Sequence, residues 1–121
     1  LSALPPATDD VARLVAIVGP EAALALVEAR GGTRIYVGEA IEGRTVADII
    51  GVEPAARLAE AYGRETVKVP LAREWRVLVY KARGLSYREI ALKAGCSENT
   101  VWETLSRHRQ TRAQLDLFKA G

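Results

Sequence analysis

The sequence predicts a mainly α protein with one or two short β-strands. Three observations predict it. About half of the 121 residues are apolar and only 6% are aromatic, which suits an aliphatic helical core. Apolar residues recur at helical spacing through most segments, and glycine or proline closes nearly every stretch. Two short β-branched runs, Thr33–Val37 and Glu65–Val69, break the helical pattern. A chain of this length supports one domain, or two small ones sharing a core.

The elements follow in order. Thr8 is expected to cap a helix whose first turn holds Asp9 and Asp10, favourable at the positive end of the dipole. Val11, Leu14, Val15 and Val18 form its apolar stripe. Gly19-Pro20 stops it, and Pro20 suits the first position of a second helix over 20–30, with Ala23, Leu24, Leu26 and Val27. Gly31-Gly32 reads as a cap and turn rather than a phosphate cradle. Residues 33–37 read as a strand. Residues 44–50 read as a short helix ended by Gly51. Residues 53–62 read as another, with Pro54 in its first turn and Ala55, Leu58, Ala59 and Tyr62 along one side. Residues 65–69 read as a second strand, stopped by Pro70. A lone strand leaves backbone groups unpaired, so the two must pair with each other or with a second copy. The amphipathic N-terminal helices also bury little alone. A homodimer is therefore expected, with residues 8–69 supplying most of its interface.

A helix over 71–83 is expected to carry Leu71, Trp75, Leu78, Val79 and Ala82 inward, with Arg73, Arg76, Tyr80 and Arg83 on a different side. Gly84 ends it. Ser86 caps the next helix, and Glu89 completes a capping box. The stretch Tyr87–Trp102 then reads as a helix, a three-residue turn and a second helix. Ala91 is small enough for a close crossing, Gly95 tolerates the positive φ of a sharp turn, and Ser97 stands where an N-cap is wanted. Ile90, Ala94, Cys96, Val101 and Leu105 fall inward. Thr104 occupies a position where an apolar residue is usual, and Leu105 is expected to take over its packing. This is the pattern of a helix-turn-helix, which points toward DNA. An ordinary helical hairpin with a glycine turn explains the glycine and the apolar face, but not the polar face of the second helix. That face holds Glu98, Asn99, Trp102, Glu103 and Ser106, the candidate base readers. Tyr87, Arg88, Lys93, Ser97, Arg107 and Arg109 are the candidate phosphate contacts. Arg107, His108 and Arg109 are expected to close the helix, and Thr111–Phe118 to form a final helix or tail folding back through Leu115, Leu117 and Phe118.

Charge is divided unevenly. Residues 1–62 carry 5 Lys/Arg against 9 Asp/Glu, and residues 63–121 carry 12 against 6. The basic half is the half with the motif, and local basic charge drives phosphate binding. No apolar run is long enough to span a bilayer, and the first ten residues lack the features of a signal peptide. The absence of methionine predicts a trimmed or processed chain. The single cysteine, Cys96, excludes an internal disulfide and is expected to be a small buried residue. The cytoplasm is the expected location. The only histidine, His108, is expected to be a solvated surface residue, and nothing is placed to pair with Cys96. Neither an enzyme, a metal site nor a cofactor is expected.

The chain resembles the Mor/C family of phage-type (Mu-like) transcription activators. The residues that carry the resemblance are Gly31-Gly32-Thr33-Arg34-Ile35-Tyr36-Val37, Ala61-Tyr62-Gly63 and Val67-Lys68-Val69-Pro70. Gly84-Leu85-Ser86-Tyr87-Arg88-Glu89-Ile90-Ala91 and Gly95-Cys96-Ser97 follow at family-like distance. Together they cover most of residues 20–109. The resemblance implies a dimerisation region over 1–63, a strand linker over 64–70 and a helix-turn-helix DNA-binding domain over 71–121. It implies a dimer that binds a dyad site in a promoter and engages RNA polymerase, and it implicates Tyr62, Gly63, Arg64 and Lys68 in minor-groove or linker contacts. Arg64 stands where family members often have a second glycine. Two other readings stay open: the DNA-recognition part of a repressor or recombinase, and a helical protein-interaction module that does not bind DNA.

Overall fold

The structure, a computed structural model, describes residues 4–37, 46–63 and 65–120, with side chains as far as residue 117. Arg64 and the first two residues of the expected 44–50 helix lie outside the described residues. The described residues form α1 (Asp9–Val18), α2 (Pro20–Arg30), β1 (Arg34–Tyr36), α3 (Val46–Ile50), α4 (Val52–Tyr62), β2 (Thr66–Lys68), α5 (Arg73–Ala82), α6 (Tyr87–Ala94) and α7 (Glu98–Ala120). They divide into two compact units, Leu1–Ala72 and Arg73–Gly121. The chain is thus mainly helical with one two-stranded antiparallel sheet among the described residues.

In the first unit α1 packs on α2 and α4, and α3 packs on the same two helices. Val11, Leu14 and Val18 of α1 are buried, as are Ala23, Leu24, Leu26 and Val27 of α2 and Leu58 of α4. Each fully buried Val or Leu contributes about 1.5–3 kcal/mol, so these few side chains carry most of the cohesion. Thr8 does not cap α1 with its side chain. Its hydroxyl instead donates to the Asp10 carboxylate, while its carbonyl accepts from the Val11 amide at 3.1 Å. The other end of α1 is closed from outside: Arg57 of α4 donates through Nε to the Ile17 carbonyl at 3.1 Å and through Nη2 to the Val18 carbonyl at 3.2 Å. These carbonyls are among the four that a helix leaves without an internal partner.

The two strands pair with each other, with Arg34 opposite Lys68, Ile35 opposite Val67 and Tyr36 opposite Thr66. Backbone bonds extend the ribbon beyond the ladder, from Val37 to Glu65 at 3.1 Å, Val69 to Thr33 at 2.8 Å and Gly32 to Val69 at 2.8 Å. Alternation puts Ile35 and Val67 on one face and the Arg34–Lys68 pair on the other, where both cations are exposed. Gly31 is fixed by close approach: a Cβ there would lie 2.5 Å from the Val27 carbonyl oxygen and 3.3 Å from that of Pro70.

In the second unit α5 packs on α6 and α7, and α6 packs on α7. Helix α5 starts at Arg73 rather than at residue 71, because Ala72 holds a φ of +51° and breaks the helical path. Leu71 and Ala82, expected inward, are exposed, while Arg76 and Tyr80, expected on another side, are buried. All six residues from Trp75 to Tyr80 are buried, so α5 is a core helix and not a one-sided one. Helix α7 does not end near Arg109. It continues unbroken to Ala120, because neither glycine nor proline interrupts residues 98–120. Thr111–Phe118 are therefore part of α7, not a separate element folding back, and Leu115 and Leu117 are exposed.

Substituting Gly31 by alanine should lower stability by about 1–3 kcal/mol, since a methyl group is forced against two backbone oxygens. Thermal unfolding of the variant against the parent measures it.

Candidate nucleic-acid interface

Helix α6 is bounded by strong local signals. The Ser86 amide donates to Glu89 Oε1 at 2.9 Å and the Glu89 amide donates to Ser86 Oγ at 3.2 Å, a complete capping box. At the other end Gly95 adopts φ +71° and ψ +42°, the left-handed conformation that glycine enters without steric cost. The amides of Gly95 and Cys96 both donate to the Ala91 carbonyl, at 2.9 and 3.0 Å. Ser97 then begins α7, its Oγ accepting from the Thr100 amide at 3.0 Å. The three-residue turn expected between the two helices is thus present at 95–97.

Two arginines of α5 complete that turn. Arg76 donates through Nη2 to the Lys93 carbonyl at 2.8 Å and through Nε to Tyr80 Oη at 3.2 Å. Arg73 donates through Nε to the Ala94 carbonyl at 3.1 Å. Positive charge is thereby placed at the negative end of the α6 dipole, and two orphan carbonyls gain charge-assisted partners. Sequence reasoning missed this role. The three-residue spacing of Arg73 and Arg76 on one helix was visible, but the helix end they serve was not.

Inside the unit, Ile90, Ala91, Ala94, Val101 and Leu105 are buried as expected. Thr104 is buried too, at 5% exposure beside Leu105 at 7%. Leu105 therefore joins Thr104 and does not replace it, and Val101, Thr104 and Leu105 make one i, i+3, i+4 stripe. Among the described residues no fully buried side-chain nitrogen or oxygen lacks a hydrogen-bond partner. Cys96 and His108 are half-buried, neither the buried thiol nor the solvated imidazole expected. Among the described residues no group of three His, Cys, Asp or Glu could hold a metal.

The opposite face of α7 stands open. Glu98, Asn99, Trp102 and Glu103 are exposed and Ser106 is half-buried. Trp102 is 53% exposed, a large apolar surface among the polar residues of the first turns of α7. Asn99 Nδ2 donates to Glu103 Oε1 at 2.8 Å, and an Arg109 Nη donates to Ser106 Oγ at 3.3 Å. Arg88 and Arg109 are exposed, while Arg107, with its side chain 63% exposed, stands 3.9 Å from the Glu74 carboxylate. The Lys93 ammonium lies 5.0 Å from the centre of the Tyr80 ring, and Lys81 lies 5.3 Å from that of Tyr87. The Ser97 hydroxyl is occupied by its cap. In the first unit, Arg13 lies 4.9 Å over the Tyr62 ring, and Gly63 holds φ +65°. Neither Arg34 nor Lys68 forms an ion pair with a described residue.

Compared with protein-family models, curated proteins and solved structures, the chain matches none. Among the described residues no helix is long and apolar enough to cross a membrane.

Two outcomes are expected from this geometry. Arg76→Met should destabilise the protein by about 2–3 kcal/mol in denaturant unfolding, because the Lys93 carbonyl and the Tyr80 hydroxyl lose a charged donor, and Arg76→Lys should not restore it. The Glu89 carboxyl is held below its ordinary value of 4.5, first by the Ser86 amide and then by the Ser86 hydroxyl, with burial opposing slightly. Its folded value is lowered, so its contribution is full above the ordinary carboxylate range and is lost as pH falls through the lowered value. Unfolding midpoints followed across that acidic range should fall in the parent, and the Glu89→Gln variant should show a shallower fall.

Proposed function

We propose that the chain is a dimeric, sequence-specific DNA-binding transcription regulator of the Mor/C kind, acting as an activator at a dyad promoter site. The observation that carries this reading is the α6–turn–α7 arrangement. It buries Val101, Thr104 and Leu105 and leaves Glu98, Asn99, Trp102 and Glu103 exposed at the start of a long helix. A helix docked in the major groove reads base edges with such N-terminal residues. In this reading α6 and α7 form a helix-turn-helix supported by α5, and Arg88, Arg107 and Arg109 meet phosphates. The loose Arg107–Glu74 pair costs little to exchange for one.

The first unit would supply the dimer. Helix α2 buries Leu24 and Val27 and sets Ala22 and Ala25 beside Ile49 and Ile50 of α3, so its cover comes from its own chain and the dimer reading rests on the resemblance. The Arg34–Lys68 pair supports a second nucleic-acid contact. Like charges directly opposite on a ribbon repel, and a polyanion relieves that repulsion. Tyr62, Gly63 and Lys68 would lie at this contact, toward the minor groove. RNA polymerase would be the partner of the bound dimer.

One observation favours a different reading. The last two turns of α7 expose Leu115 and Leu117, at 54% and 73%, as a helical protein-interaction module would. A gel shift against random duplex DNA at low salt separates the two. Retention that weakens steeply with salt is expected, whereas no retention favours the interaction module. Arg109→Ala should weaken binding to all sequences alike and lower the salt slope by about one. Sedimentation at micromolar concentration without DNA should give a dimer, and a monomer would remove that part of the proposal.

A further inference from the structure

The hydrogen bond between Asn99 and Glu103 limits what the open face of α7 can recognise. With Asn99 Nδ2 directed at Glu103 Oε1, the Asn99 Oδ1 points away from that carboxylate. This bond leaves two acceptors, Oδ1 of Asn99 and the second carboxylate oxygen of Glu103, against one remaining Nδ2 hydrogen. Glu98, beside Asn99, adds another exposed carboxylate. From Glu98 to Ser106 the helix carries neither lysine nor arginine. In the major groove, adenine N6 and cytosine N4 are amine donors, while guanine offers only the acceptors N7 and O6. Guanine is ordinarily met by a bidentate cation, and this part of the helix has none. An acceptor-rich pair meets an exocyclic amine.

Resting on the DNA-binding reading, we infer that Asn99 and Glu103 act as one unit that selects a base with an exocyclic amine, adenine or cytosine, in each half-site. The hydrogen bond orients the carboxamide before binding, so less freedom is lost when the base is met. Removing either partner leaves the other free to turn, and the two substitutions are then not additive.

The test starts from duplexes selected by the full chain from random sequence. At each preferred adenine or cytosine facing α7, the base is replaced by purine or by 2-pyrimidinone, which delete the amine. Amine deletion should weaken wild-type binding by about 5- to 100-fold. The same deletion should leave Glu103→Ala and Asn99→Ala within about twofold of their own affinity for the unmodified duplex, and the double variant should bind about as well as the weaker single one. Both residues are exposed, and helical content measured by circular dichroism confirms that the variants fold. Selected sites whose binding is insensitive to amine deletion, or whose contact with α7 is abolished by 7-deazaguanine, would overturn the inference while leaving DNA binding intact. Failure of the wild-type chain to retain any duplex at low salt would overturn the DNA-binding reading, and this inference with it.

Discussion

Two guanidinium groups at the end of one short helix determine the form of the whole C-terminal unit. Helix α6 has only eight residues, too few to persist on its own. Its start is held locally by the Ser86–Glu89 box. Its end depends on Arg73 and Arg76, which bind the Ala94 and Lys93 carbonyls from a neighbouring helix. Because those bonds cross between elements, they fix where α6 stops against α5. The Gly95 turn and the first residues of α7 follow from that stop, since only three residues separate the two helices. The direction in which Asn99 and Trp102 face is therefore set partly by residues that touch neither. Arg76 is buried with its Nε on Tyr80, so the link is shielded from water, where a charge-assisted bond keeps more of its strength.

The first unit uses the same device. Arg57 of α4 closes α1 through the Ile17 and Val18 carbonyls, just before Gly19 turns the chain into α2. In both units arginines of one helix serve the C-terminus of another, where the dipole is negative. Helix α1 has no basic residue in its own last turn, so Arg57 fills a need α1 does not meet itself, whereas α6 carries Lys93 there and Arg73 and Arg76 add to it. Small aliphatic cores leave helix ends near the surface. Long side chains with several donors are suited to reach them there.

Much of this was legible in the sequence, for physical reasons that differ by element. Helix α2 and the capping box were readable because proline, glycine and the Ser86/Glu89 spacing act locally. The strands were readable as β-branched runs, but whether they paired with each other or with a second copy was not, because register is a property of two segments together. The opposition of Arg34 and Lys68 was hidden for the same reason. The end of α7 was misplaced: Arg107-His108-Arg109 looked like a basic C-terminus, yet nothing after them breaks a helix. Thr104 misled in the opposite direction. A threonine looked foreign to a buried position, but Thr104 is buried beside Leu105, at 5% and 7% exposure. The sides of α5 were misassigned because a helix buried nearly all round has no single apolar stripe to read.

The remaining asymmetry lies along α7 itself. Over its first turns one side is committed to the core by Val101, Thr104 and Leu105. Beyond His108 the same side carries Arg112 and Leu115, both exposed. The helix thus passes from a part held by packing to a part held only by its own backbone bonds and by residues such as Ala113, Gln114 and Arg112 that favour helix. A helix anchored at one end and free at the other holds the anchored face most rigidly. Asn99, Trp102 and Glu103 lie within that anchored part. The side chains with the most to gain from fixed geometry are those nearest the Ser97 cap and the arginine-closed end of α6. The exposed leucines lie where the helix is least constrained and can adapt to what meets them.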